Sequence, residues 1–241
     1  MHSGLYVGLS AQIALQQRIE TLANNVANAT TAGFRAEEVR FEALLAQAGE
    51  KEVAFSSTGD TDLSRKAGAL VKTGNPLDVA VSGDGWMAFQ GPDGPVYTRD
   101  GRMQVAEAGA LQTLNGQAIL DAGGAPITVD PSAGPLSITR DGMVTQGGRQ
   151  VGAIGLFAID EDAKLTRAGG SGVVPDRPAR PILDFTRHGV VQGFAEKSNV
   201  DPVMEMSRLI MVQRLFESMT AGMEASEASL GDAIKTLGSN A

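Results

Sequence analysis

The stretch from Ser198 to Leu237 constrains this chain most, because it reads as one long amphipathic helix with a defined start. Asn199 and Asp201 can serve as N-caps. Pro202 suits the first helical position, where its missing N–H has no intrahelical acceptor to lose, and Glu205 favours the positive end of the helix dipole. Apolar residues then recur three and four apart: Met206, Leu209, Ile210, Val212, Phe216, Met219, Met223, Leu230, Ile234 and Leu237. At ~1.5 Å per residue such a helix runs about 54 Å, longer than a small domain is wide, so its stripe needs an elongated partner. Gly222 and Gly231 each cost roughly 1 kcal/mol against alanine, so partners must supply the stability.

The other end of the chain carries a matching element. From Ser3 to Val26 the sequence predicts a second amphipathic helix, with Leu5, Leu9, Leu15, Ile19, Leu22 and Val26 along one side. The last four are spaced as a coiled-coil seam. Gly8, Ala11, Ala14, Ala23 and Ala27 keep this helix thin. The simplest arrangement pairs the terminal helices antiparallel or side by side, and a two-helix layer still leaves apolar surface uncovered. One reading is a helical cap folded onto a central domain. The sharper one is an assembly element that many copies complete together.

Between the helices the pattern changes. Residues 37–75 are mixed and polar, as an extended connector would be. From Leu77 to about Phe185 short β segments alternate with Gly83-Asp84-Gly85, Pro92-Asp93-Gly94, Asp100-Gly101, Asn115-Gly116, Gly123-Gly124, Asp141-Gly142 and Gly147-Gly148, which use many of the chain's 30 glycines. Asp-Gly and Asn-Gly supply the positive φ that hairpin turns require, so this is a meander of antiparallel strands. Thr98-Arg99-Asp100-Gly101, Thr139-Arg140-Asp141-Gly142 and Thr186-Arg187-His188-Gly189 are echoes of one turn device. The proline-rich run 175–181 marks the exit from the β domain.

The fold class is thus α+β: long N- and C-terminal helices pairing as a coiled-coil-like layer, with a central antiparallel β-rich domain. The expected division is 1–36 with 199–241 for the helical assembly domain, 37–75 with 178–198 for the connector, and 76–177 for the β-rich outer domain.

Composition narrows the chemistry. A net charge of −8 provides no basic patch to neutralise phosphates, and one Trp and two Tyr offer few stacking platforms, so no nucleic acid is expected as a partner. With no cysteine and only His2 and His188, no metal site, cofactor or catalytic residue is expected. No phosphate-binding loop, nucleophile elbow or calcium loop is present. No apolar run approaches the ~18 residues that span a bilayer, and the N-terminus lacks the character of a secretory signal.

Three motifs give these features a family. The run Ala23-Asn24-Asn25-Val26-Ala27-Asn28-Ala29-Thr30-Thr31-Ala32-Gly33-Phe34-Arg35 resembles the N-terminal signature of the bacterial flagellar rod and hook axial proteins. The run Ser198-Asn199-Val200-Asp201-Pro202-Val203-Met204-Glu205-Met206 resembles their C-terminal signature. The block from Thr73 to Val81, followed by Gly83-Asp84-Gly85-Trp86 and Tyr97-Thr98-Arg99-Asp100-Gly101, resembles the middle segment of the longer members. Arg35 and Gly85-Trp86 favour the proximal-rod branch over the distal one, where Gly-Phe-Lys is usual. Ser207-Arg208 departs from the family pattern, where an apolar residue is usual.

The resemblance implies a structural subunit of the proximal rod, acting in motility and not as an enzyme. It implies export as an unfolded chain by the flagellar type III apparatus without a cleaved signal, passage to the rod in the periplasm, and folding of both ends into the inner helical tube with the β domain outward. The partners would be other copies of the chain, other rod proteins and the export apparatus, with no membrane insertion. A distal-rod or hook paralogue is one alternative, and a self-contained extracellular binding module another.

Overall fold

The structure is a computed structural model that describes residues 2–40, 43–48, 51–56 and 60–238. The chain divides into two compact units, one of Met1–Ala27, Glu37–Asp62 and Asp201–Ala241, the other of Asn28–Ala36 and Leu63–Val200.

In the first unit, helix α1 covers His2–Ala27, followed by strands β1 (Glu37–Arg40), β2 (Ala43–Ala48), β3 (Lys51–Ser56) and β4 (Asp60–Leu63), and helix α2 covers Pro202–Gly238. β1 pairs with β4, and β2 pairs antiparallel with β3 from Ala43 opposite Ser56 to Ala48 opposite Lys51. The start of α2 follows from its sequence. Asp201 Oδ1 accepts from the backbone N–H groups of Val203 and Met204, both at 3.1 Å, and Glu205 N closes the first turn on Asp201 O at 2.9 Å. Asp201 is therefore the cap, and Asn199 is freed for another task.

The second unit is antiparallel β throughout its paired strands: β5 (Leu70–Lys72), β6 (Val79–Ser82), β7 (Trp86–Gln90), β8 (Pro95–Thr98), β9 (Met103–Val105), β10 (Leu111–Thr113), β11 (Leu136–Ile138), β12 (Met143–Gln146), β13 (Arg149–Ala153), β14 (Leu156–Ala158), β15 (Leu165–Arg167), β16 (Val173–Pro175), β17 (Arg180–Pro181), β18 (Gly189–Gln192) and β19 (Phe194–Glu196). Six form one sheet in the order β15-β16-β8-β7-β14-β17. β11-β12-β13 form a second, and β9-β10, β6-β18 and β5-β19 are ribbons.

The continuous apolar run Trp86-Met87-Ala88-Phe89 on β7 has a simple cause. Met87 and Phe89 enter one core with Val79, Leu111, Ile154 and Leu156, while Trp86 and Ala88 enter another with Tyr97, Phe157 and Leu165. Both faces of the strand are buried, so it does not alternate.

Two expectations change here: the strand that the sequence pattern places from Ile127 to Val129, and the exit from the β region at 175–181. The segment around Ile127 forms no strand although Ile127 and Val129 are buried. Leu111 N donates to Ile127 O, Ile127 N to Ile119 O, and Ile119 N to Leu111 O, so three segments meet in a closed ring at one residue each. The run 175–181 does not end the β region, because β16 and β17 bracket it and β18 and β19 return to pair with β6 and β5. Proline fits there at strand ends and edges, where no ladder N–H is needed.

Candidate assembly interface

Helices α1 and α2 run antiparallel past each other. Asn25 Nδ2 donates to Glu205 Oε2 at 3.1 Å, Gln12 Nε2 to Thr220 Oγ1 at 3.2 Å, and Gly8 faces Met223, whose Sδ would lie 3.1 Å from a Cβ placed there. The thinness of α1 at Gly8 thus admits a bulky neighbour. Asn25 also closes a bridge to β1, donating to Glu37 O and accepting from Glu37 N, both at 2.8 Å. Arg208 donates to Glu205 Oε1 at 2.7 Å and completes the polar junction.

The expected stripe divides between two faces. Leu22, with Ala14 and Val212, is buried. Leu15, Ile19, Val26, Phe216, Met219 and Met223 are half-buried. Leu9, Met206 and Ile210 are exposed, at 46%, 45% and 51%. Ile13, Val203, Met204, Met211 and Leu215, which the stripe omitted, are exposed with them. Met204, Met211 and Leu215 stand seven and four apart, a helical spacing that could have revealed a second stripe. The side chains of Leu5, Leu230, Ile234 and Leu237 lie outside the described residues.

The remaining motif residues form a lock in the second unit. Gly33 has φ +66° and its N–H donates to Glu196 O at 2.8 Å; a Cβ there would stand 2.2 Å from Asp100 N, so only glycine fits. Phe34 is buried beneath the Arg167 guanidinium, 4.1 Å from the ring centroid, and Arg167 Nη2 donates to Arg35 O at 2.6 Å. Arg35 is itself buried, with Nη2 2.7 Å from Glu196 Oε1 and Nη1 donating to Lys66 O. Arg99 reaches the other Glu196 oxygen at 3.3 Å and donates to the carbonyls of Val81 and Gly83. The two guanidinium carbons each lie 5.5 Å from the Trp86 ring centroid. Burial lowers Arg35 to about 10 against the pull of Glu196, and lowers Arg99 for the same reason.

Asn199 accepts from Ala36 N at 2.7 Å and donates to Lys66 O at 2.9 Å, while its own N–H meets Phe34 O. It braces the Phe34–Ala36 segment. Asn28 caps the turn after α1, its Oδ1 accepting from Thr31 Oγ1 and its carbonyl from Thr31 N. Asn24 is half-buried, and Asp201 and Pro202 are exposed at the start of α2.

The three echoed turns lean on one another. Arg140, in the second, donates to Thr186 O of the third at 3.1 Å and accepts from Val190 N at 2.8 Å. Arg99, in the first, holds Gly83 O, and Gly83 packs against Arg187 O and His188. Among the described residues no group of three or more His, Cys, Asp or Glu side chains is placed to hold a metal ion, and no helix is long and apolar enough to cross a membrane.

Residues 5–35 match the family described as flagella basal body rod protein, 80–146 the FlgE/F/G hook protein D1 domain, and 191–236 the C-terminal part of the basal body rod FlgEFG proteins. The chain is 50% identical to the flagellar basal-body rod protein FlgF of Mesorhizobium japonicum and 46% identical to that of Rhizobium meliloti, each over 99% of both chains. It is 28% identical to the rod protein FlgG of Bacillus subtilis over 97% of this chain and 98% of that one. The chain belongs to the FlgF family of flagellar basal-body rod proteins.

Proposed function

We propose that this structural component of the flagellar basal-body rod is built into the rod through the open apolar faces of α1 and α2, which neighbouring subunits cover as a coiled-coil-like layer. The observation that carries the reading is the set of exposed apolar side chains that flank the covered face of α2, Met206 and Ile210 on one side and Met204, Met211 and Leu215 on the other, with Leu9 and Ile13 exposed on α1. Apolar surface of this extent on a paired helix marks a protein contact. Covering a half-exposed Ile, Leu or Met gains about 1 kcal/mol at ~25 cal/mol per Å², so several per subunit suffice for a cooperative lattice. A heterologous contact of this kind does not close, and yields a helical array.

The neighbours on this reading are further copies of the chain and other rod proteins, in the proximal rod. Delivery would be as an unfolded substrate of the flagellar type III export apparatus. Gly222 and Gly231 favour that route, since each weakens α2 by roughly 1 kcal/mol and lowers the cost of unfolding it. The division of labour assigns assembly to the helices and a separate, internally locked scaffold to the β unit.

The test is a tagged chain followed into purified basal bodies. Tag density along the proximal rod, lost when Ile210 is replaced by Asp, is the expected outcome. Undiminished incorporation of Ile210→Asp would remove the helical faces as the seam.

A further inference from the structure

The β unit carries a groove that neither the buried lock nor the helical faces use. It lies between the turn that joins β7 to β8 and the end of β16, holds about 430 Å³, and is walled by Pro92, Pro95, Val96, Tyr97, Val174 and Pro178. Val96 and Tyr97 are buried, whereas Val174 is 39% exposed. Proline has no N–H to offer an occupant. Small-ligand sites orient what they bind with a few polar groups converging from the walls. Here the charged residues of the lining, Asp93, Asp176 and Arg177, are exposed at the rim. Asp176 Oδ1 accepts from Lys164 N at 2.9 Å, a neutral partner that leaves its charge in place, and Asp93 makes no ion pair among the described residues. An apolar trough with two carboxylates against one guanidinium suits an apolar side chain that travels with a cation.

Strand β5 presents that combination. Its pairing with β19 sets Leu70 opposite Glu196, Val71 opposite Ala195 and Lys72 opposite Phe194, so alternation puts Leu70 and Lys72 on one face. Leu70 is 42% exposed, and Lys72 is exposed with no ion-pair partner among the described residues. From Ser64 to Leu77 there is no carboxylate, and Arg65 is engaged with the carbonyls of Ile159 and Ala163. An isolated two-stranded ribbon is marginal in water. This one is pinned: Gly68 N donates to Glu196 Oε1 at 2.9 Å, and a Cβ on Gly68 would come within 1.8 Å of Lys197 O. The face is ordered before it meets a partner, which lowers the cost of binding.

We infer that Leu70 of one copy seats in this groove of a second copy, with Lys72 meeting Asp93 at the rim, a second subunit contact besides the helical faces. This rests on the reading of the chain as a rod subunit. The charges select the pairing: ribbon against ribbon sets lysine opposite lysine, and groove against groove sets Asp93 and Asp176 against their own kind. Because donor and acceptor are different surfaces, the contact is heterologous and extends along an array.

The sequence has no cysteine, so introduced thiols report alone. Full-length chain carrying Val71→Cys with Pro92→Cys, and separately Val71→Cys with Pro178→Cys, is assembled in cells, and isolated rods are treated with a short bismaleimide. These exposed sites leave Leu70, Lys72 and Asp93 in place. The expected result is a ladder of linked subunits for at least one pair and monomer for each single variant. Absence of a ladder from both pairs overturns the proposal, as does a dimer from Val71→Cys alone, which would mean β5 against β5. Lys72→Glu should lower rod incorporation about tenfold by facing Asp93 with a like charge, with the urea midpoint of the free chain unchanged, and Asp93→Lys in the same chain should restore it. No loss, or a loss that persists, overturns the proposal. If the chain is no rod subunit, the parent chain is absent from basal bodies; if only this contact is wrong, the parent chain is present and unlinked.

Discussion

Glu196 faces two buried guanidinium groups with a single carboxylate, and Trp86 between them supplies the rest of the attraction through its ring face. Arg35 Nε and Arg99 Nε find no hydrogen-bond partner among the described residues, so the cluster has no reserve. Glu196→Gln leaves two uncompensated buried cations and should cost about 3–5 kcal/mol, read from urea unfolding of the full chain. A loss below ~1 kcal/mol would mean that water reaches the cluster. The pH response follows from the lowered value of Arg35. Its folded pKa of about 10 lies below the ordinary arginine range, so the native state binds fewer protons than the unfolded one only above about pH 10. Its contribution is flat below about pH 10 and turns more favourable above it. The stability difference between the parent chain and Arg35→Met should accordingly stay constant from pH 6 to 9; a slope in that window would count against a permanently charged Arg35. Gly33→Ala, forced to φ +66° and against Asp100 N, should cost about 2 kcal/mol or more.

At the scale of elements, what the sequence disclosed and what it hid have separate causes. The limits of α2 were legible because Asp201 and Pro202 act locally, and the hairpin turns because positive φ selects glycine, as at Gly116 and Gly142. The inner and outer faces of α2 were not. Apolar residues at 204, 206, 209–212, 215–216, 219 and 223 interleave two stripes, and only the position of α1 decides which one is covered. The buried lock escaped for the opposite reason: Arg35 and Glu196 read as surface residues, and nothing local announces that they meet across the chain. The helix pairing itself has a direct test. Gln12→Cys with Thr220→Cys, whose native side chains bond at 3.2 Å, should be joined by a short bismaleimide into an intrachain link seen as faster gel migration. Adding Gly8→Leu should prevent it, because a leucine cannot share the space that Met223 fills. A link that forms equally well in both backgrounds would show that α1 and α2 slide freely.

For the molecule as a whole, the distinction that matters is between surface that the chain leaves exposed at no consequence and surface that neighbours must cover. Leu183 and Ile210 separate the two. Leu183 is the more exposed, at 83%, and belongs to the β unit; Ile210, at 51%, stands one helical turn from exposed Met206 on one flank of the covered face of α2. Isolated exposed leucines are ordinary, whereas a contiguous patch marks a contact. Aspartate at either site should change the stability of the free chain by no more than ~0.5 kcal/mol, since both side chains already meet water. In the rod the two variants should diverge. Leu183→Asp should assemble normally, but Ile210→Asp places a carboxylate in a seam that neighbours close, where an unpaired charge costs several kcal/mol at each contact. That cost recurs at every addition, so incorporation should fall to background while the thermal unfolding curve of the free chain stays unchanged. Equal incorporation of the two variants into basal bodies would show that exposure on α2 carries no more meaning than exposure anywhere else on the chain.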